Sequence, residues 1–366
     1  MSAFQGLVRG VTRMAFGTLP SGETVEAVTL VNAAGMRVRV ITYGATLQAV
    51  ELPDGEGGHV DVALGCASLE GYVEQPQYFG STCGRFANRI ANGRFTLDGA
   101  EYRVPVNNGP NSLHGGTEGF DKVVWEIVET GNSPRPFVRL HYVSREGDQG
   151  YPGTLTATAT YALDEANTLS VEYLAETDRP TIVSLTNHCY WNLAGEGSEE
   201  GAMGHILTIP AGSYLPTDET AIPTGEFRAV EGTAFDFRRP TPVGARVRDA
   251  SDEQIRFGRG YDHNWVIAGF PADSPRLVAR VEEPASGRLL EVHSNQPGLQ
   301  FYSGNFLDST TAGKSGRLYR QGDAVVLEPQ LFPDTPNRPE FGSARLAPGE
   351  TYRNLIEFRF TRAERG

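Results

Sequence analysis

The sequence predicts an all-β sandwich, and three observations carry that prediction. Short runs of alternating apolar and polar residues recur along the chain, with turn-forming residues every ~8–12 positions. No apolar stripe at helical spacing persists past about three turns. The 43 glycines and 23 prolines, about twice the 32 lysines and arginines, are scattered at turn positions without a short repeat, so they mark turns and not low complexity.

The elements follow in order. Val25 to Leu30, Met36 to Thr42 and Ala45 to Leu52 open the series, with turns at Asn32-Ala33-Ala34-Gly35 and Pro53-Asp54-Gly55. A short helical piece is expected around Ser68 to Val73. Arg94 to Leu97 and Glu101 to Val104 flank Asp98-Gly99, a hairpin signal because glycine tolerates the positive φ of a tight primed turn. Val123 to Val128, Val138 to Val143, Leu155 to Ala162 and Leu169 to Ala175 continue the pattern. Later strands are expected at Ile206 to Ile209, around Val266, and at Leu277 to Val281, Leu289 to Val292, Leu299 to Tyr302, Ala324 to Leu327 and Leu355 to Phe360. No linker interrupts the series, so residues 1–366 are expected to form a single domain. The longest irregular stretches, Gly195 to Gly204 and Gly212 to Gly232, read either as surface excursions or as functional loops.

Composition excludes several classes. A net charge of -13 and a pI near 5.1 argue against nucleic acid or an anionic membrane as partner. Cys66, Cys83 and Cys189 are an odd, sparse set without Cys-x-x-Cys spacing, which fits neither a disulfide framework nor a zinc motif. Met1 to Gly17 lacks a continuous apolar segment of signal-peptide length, and no window reaches the roughly 20 apolar residues of a membrane span. The expected compartment is the cytoplasm, with export from a longer precursor as the alternative. His-Glu-x-x-His, a glycine-rich phosphate loop and Gly-x-Ser-x-Gly are all missing from the sequence.

One segment has an unusual inventory. Thr181 to Leu185 reads as a strand that runs on through Thr186-Asn187-His188-Cys189-Tyr190-Trp191-Asn192-Leu193. Val183, Leu185, Cys189, Trp191 and Leu193 fall on one face, with Asn187 the exception, and Ser184, Thr186, His188, Tyr190 and Asn192 on the other. The first face suits a core, the second a ligand covered in hydroxyls. Four further stretches could complete a site: Gly84 to Ile90 with Arg85 and Arg89; Asn107 to Gly116, ending in His114 and two glycines; Tyr261 to Trp265, with Asp262 and Asn264 on one face; and Ala324 to Asp334. In the last, Glu328 follows four apolar residues and precedes a proline, so burial should raise its pKa toward that of a useful base. His188 titrates near neutrality and can exchange a proton. Each also has a structural reading, as an ion-paired carboxylate or a histidine satisfied within a sheet.

Taken together, these stretches resemble the aldose 1-epimerase (galactose mutarotase) family. The resemblance rests on Gly84 to Ile90, Asn111-Ser112-Leu113-His114-Gly115-Gly116, Asn187 to Leu193, Tyr261-Asp262-His263, Gln300 to Asn305 and Leu327-Glu328-Pro329-Gln330. They occur in the family's order over most of the chain. It implies a large antiparallel β-sandwich of the galactose mutarotase-like supersandwich type, binding one aldohexose without metal or cofactor; the assembly is left open as monomer or homodimer. It implies interconversion of α and β anomers by ring opening, with Glu328 as base and His188 as acid. Asn88, Arg89, His114, Tyr190, Asp262 and Gln300 stand at positions of substrate contacts. Pro329 departs from the threonine common after the glutamate and removes a backbone donor there. The alternatives are a glycoside hydrolase using Asp262 with Glu328, a sugar-binding protein without catalysis, and a relative acting on phosphorylated hexoses through Arg85 and Arg89.

Overall fold

The computed structural model describes residues 9–269 and 272–363. A nine-stranded sheet forms one layer. Its order is Glu126–Gly131, Phe137–Ser144, Leu155–Leu163, Thr168–Thr177, Tyr352–Arg362, Arg288–Ser294, Arg276–Glu283, Ile206–Thr208 and Thr241–Pro242. Two sheets share a core with it. One is a five-stranded meander of Gly10–Thr18, Thr24–Val31, Arg37–Ile41, Thr46–Pro53 and His59–Asp61. The other has six strands in the order Tyr190–Trp191, Val325–Gln330, Gly298–Tyr302, Asp262–Val266, Ser213–Leu215 and Arg228–Ala229. The ladders within all three are antiparallel.

Period-two alternation builds this core. On Leu155–Leu163, Leu155, Ala157, Ala159 and Tyr161 are buried while Thr156 is exposed. One apolar cluster joins Val28, Leu30 and Leu47 of the meander, Val171 and Phe358 of the nine-stranded sheet, and Trp265, Phe301 and Leu327 of the six-stranded sheet. Burying each such side chain contributes about 1.5–3 kcal/mol. The six-stranded sheet thus has its inner face fixed by packing, which leaves its other face as a rigid platform.

The expected elements are present with informative shifts. Asp98 and Gly99 both take positive φ, 49° and 85°, and close the hairpin Arg94–Leu97 with Ala100–Arg103. Leu69–Glu74 is a short helix behind Ser68. The strand expected from Val123 begins only at Glu126, because Trp125 turns into the core and its Nε1–H donates to the Phe120 carbonyl at 3.1 Å. Several elements went unread in the sequence, among them Ser213–Leu215 and Arg228–Ala229, short strands inside the 212–232 stretch expected to be irregular, and two others have a clear reason. Gly10–Thr18 is an edge strand with little buried surface and therefore little pattern. Glu253–Gly258 is a helix too short for a periodic stripe, capped by Asp252, whose carboxylate accepts the N–H groups of Gln254 and Ile255. No helix among the described residues is long and apolar enough to cross a membrane.

Candidate active site

Thr181 to Leu193 is not the continuous strand expected. It makes three two-residue pairings: Thr181–Ile182 with Arg345–Leu346, Thr186–Asn187 with Thr82–Cys83, and Tyr190–Trp191 with Val325 and Val326. The two faces survive the breaks. Trp191 packs on Phe358 and Phe360, with ring centroids 4.9 and 5.5 Å away, and Cys189 lies in the same core. Asn187 is tolerated on that face because its Nδ2 donates to the Gly80 carbonyl and the Tyr161 hydroxyl. His188 and Tyr190 face a cleft of about 670 Å³.

Sheet register sets one wall of that cleft. Glu328 lies opposite Gln300, and Gln300 opposite Asn264. The adjacent row is Tyr190, Val326, Tyr302 and Asp262. The ladder runs through Pro329 without a shift, and the Pro329 carbonyl accepts from Thr186 Oγ1 and Asn354 Nδ2, each at 2.9 Å. Loops supply the opposite wall. Arg89–Ile90 pairs with Ser112–Leu113, which brings Asn88 and His114 together. Both take positive φ, 64° and 51°, and each donates its main-chain N–H to the other: His114 to the Asn88 carbonyl at 3.0 Å, Asn88 to His114 Nδ1 at 3.2 Å. Because Nδ1 accepts, the imidazole proton of neutral His114 sits on Nε2. Asn88 Oδ1 accepts the Arg89 N–H at 2.9 Å.

Asn88, Arg89, His114, His188, Tyr190, Asp262 and Glu328 all line the cleft, and Gln300 does not. Gln300 stands behind Asp262, donating to its Oδ1 at 2.8 Å. Asp262 Oδ2 lies 3.8 Å from Arg89 Nη2, and Arg89 Nε donates to Asn108 Oδ1. Both oxygens of Asp262 thus face donors, which favours its ionised form. Arg85 is not at the cleft. Its buried guanidinium donates to the carbonyls of Pro152, Gly153, Ser144 and Arg145 and to the hydroxyls of Ser144 and Thr181. That removes one of the two arginines on which a phosphorylated substrate would depend.

His188 and Glu328 form a buried pair in the site. His188 Nε2 is 3.6 Å from Glu328 Oε1, and the side chains are 7% and 2% exposed. Among the described residues, neither Glu328 Oε2 nor His188 Nδ1 has a hydrogen-bond partner. Burial holds the Glu328 carboxyl well above the usual range, reinforced by Asp262 and opposed by Arg89. Burial also pushes the His188 imidazolium down to about 4. Cys83, His114 and Glu328 bring one donor atom each within 4.8 Å of one another. They do not fit a metal as arranged, since the His114 lone pair on Nδ1 is occupied by the Asn88 N–H and Nε2 carries the proton.

The cleft also holds residues that sequence reasoning missed. Tyr302 shares a sheet face with Gln300, and period two alone could have found it. Thr217, Glu219, Thr220 and Ala221 give the 212–232 stretch a place in the wall, anchored by Asn111 Nδ2 donating to the Thr220 carbonyl at 3.0 Å. The 195–204 stretch contributes no lining residue; its Glu196 accepts from the Tyr319 hydroxyl and the Ser315 amide. Tyr78 and Phe306 carried no signal in sequence.

Fold and cleft together define a β-sandwich protein with a polar cleft and a buried histidine–glutamate pair in its wall. A family model described as aldose 1-epimerase matches residues 26–359. Galactose mutarotase of Rattus norvegicus is 46% identical over 351 residues, 96% of this chain and 98% of the relative. Aldose 1-epimerase of Escherichia coli K12 is 40% identical, covering 93% and 96%. The crystal structure of galactose 1-epimerase from Lactobacillus acidophilus superposes with a TM-score of 0.85 at 30% identity, covering 98% of this chain and 100% of that one. The chain belongs to the aldose 1-epimerase family, and its enzyme class is that family's, an isomerase of carbohydrates.

Proposed function

We propose that the protein interconverts the α and β anomers of an aldohexose such as galactose or glucose, with Glu328 as base and His188 as acid. The observation that carries the roles is the buried pair 3.6 Å apart in the cleft wall. In a pyranose the anomeric oxygen and the ring oxygen are bonded to the same carbon. Two groups this close can therefore face both oxygens at once.

The reaction follows from proton bookkeeping. Glu328 takes the proton of the anomeric hydroxyl while His188 gives one to the ring oxygen, and the C1–O5 bond breaks. The open-chain aldehyde turns about C1–C2. His188 then recovers its proton from the C5 hydroxyl, Glu328 returns its own to the carbonyl oxygen, and the ring closes on the other face. The pair alternates between two states that share one proton, carboxylate with imidazolium and carboxylic acid with imidazole. Burial favours the neutral state, whereas the short separation and Arg89 favour the charged one. Near-balance between the two is what a transfer running equally in both directions requires. Arg89, Asp262 and His114 Nε2–H offer charged and neutral donors and acceptors for the remaining hydroxyls, with Asn88 and Tyr190 beside them. Gln300 acts through Asp262.

Polarimetry of freshly dissolved α-galactose and α-glucose tests the proposal. Relaxation should be faster than with heat-inactivated protein, and a panel of aldoses that all relax at the uncatalysed rate refutes it.

A further inference from the structure

We propose that Tyr78 is a positioning residue that holds the His188 and His114 rings in place and keeps water from them. This rests on the acid role proposed for His188. Tyr78 lines the cleft, and its ring centroid lies 4.7 Å from that of His114 and 5.8 Å from that of His188. The two histidine rings meet edge-on at 5.2 Å and an interplanar angle of 83°, so the three rings brace one another.

The backbone shows why the ring can be there. Tyr78 has φ of 59°, a left-handed conformation rare for a bulky side chain and sustained only where the surroundings over-determine it. Two residues on, Gly80 has φ of 66°, and a Cβ there would collide with the Leu47 carbonyl. Between these kinks the Ser81 N–H donates to the Tyr78 carbonyl at 3.1 Å. The same turn grips the main chain of His188: Gly80 N–H donates to its carbonyl, and His188 N–H donates to the Ser81 carbonyl, both at 2.9 Å. One four-residue turn, Tyr78 to Ser81, therefore clamps His188 by backbone and by ring. Among the described residues the Tyr78 hydroxyl has no hydrogen-bond partner, so the ring, not the phenol oxygen, makes the contacts.

His188 is faced by Glu328, His114, Tyr190 and Tyr302 besides Tyr78, with Arg89 and Asp262 beyond them. Opening the Tyr78 side readmits water without changing those neighbours, which should raise the His188 pKa from its depressed value toward 6.5. Misplacing a proton donor by about an ångström is worth about 10²-fold in rate.

Tyr78→Leu and Tyr78→Phe separate the possibilities. Tyr78→Leu should lower kcat by about 10–100-fold with little change in KM, and Tyr78→Phe should stay near the parent rate. In a ¹⁵N-histidine NMR titration, His188 should titrate at higher pH in Tyr78→Leu than in the parent or in Tyr78→Phe. An unmoved His188 titration in a folded Tyr78→Leu protein overturns the proposal. So does a Tyr78→Phe protein as slow as Tyr78→Leu, which would assign the hydroxyl to the sugar. The NMR readout does not depend on turnover. If His188→Asn keeps the parent rate, the acid assignment fails while the titration still decides the positioning.

Discussion

Glu328→Gln separates chemistry from architecture. The amide is nearly isosteric with the carboxyl, and the site is enclosed, with the Glu328 side chain 2% exposed. Cleft shape should therefore hold, and the saturation constant should stay within a few-fold. The turnover number should fall by about 10²- to 10⁴-fold, the contribution of one general base, or roughly 3–5 kcal/mol of activation free energy. Stability should move the other way. The folded pKa of Glu328 lies above its unfolded value near 4.5. Its contribution is therefore fully present below that pH and lost as pH rises through the folded pKa. At neutral pH the buried carboxyl, one oxygen of which has no hydrogen-bond partner among the described residues, is a burden that glutamine relieves. Polarimetric progress curves over a range of sugar concentrations, together with thermal melts at pH 7, measure both effects. A variant with a near-parental turnover number would remove Glu328 as the base. A variant that is slow and also unable to bind sugar would assign it to binding instead.

Three other perturbations address separate parts of the molecule. Asp262→Asn removes the anion held between Gln300 and Arg89, so the saturation constant should rise about 10–100-fold. Losing its repulsion of Glu328 should also move the acid limb of the pH–rate profile to lower pH, read from kcat/KM across pH. Acid stability should fail within a defined window. His188, His205 and His263 have folded values lowered by burial to about 4, 4 and 3, from 6.5. Their stabilisation is present above 6.5 and lost as pH falls toward 4, on the order of 3 kcal/mol for a shift of this size. His205 shows the cause, since its Nε2 accepts the Leu193 N–H at 2.8 Å and a protonated ring cannot. Urea titrations at stepped pH check this, and a flat profile from pH 6.5 to 4 would contradict it. Trp191→Ala should cost about 3–5 kcal/mol through the cavity left against Phe358 and Phe360, seen as a lowered urea midpoint.

What was legible in the sequence followed from periodicity and turn chemistry. Leu155–Leu163 and the Asp98-Gly99 hairpin were readable because local pattern and local turn residues determine them. Which strands pair was not readable, because pairings such as Glu328 with Gln300 join residues far apart in the chain. The approach of His188 to Glu328 spans such a distance, and only the family resemblance linked them beforehand. Gln300 shows a limit of that route, since its place behind Asp262 depends on side-chain direction. The breaks within Thr181 to Leu193 were hidden for a different reason. All thirteen residues are buried and carry strand-like side chains, so nothing local marks where one pairing partner gives way to the next.

The middle of the nine-stranded sheet has a consequence for how the protein is made. Tyr352–Arg362 lies between Thr168–Thr177 and Arg288–Ser294, yet it is the last of the nine strands in chain order. On a ribosome the two halves of that sheet wait for it, each with an unpaired inner edge open to other chains. Synthesis at about 5–20 residues per second keeps the early half waiting some ten seconds or more. Only after this strand seats, and Phe358 closes on Trp191, does the segment carrying His188 gain its backing. Catalytic competence should therefore be among the last properties to appear, and recovery of activity a more stringent report of complete folding than any optical signal from the strands.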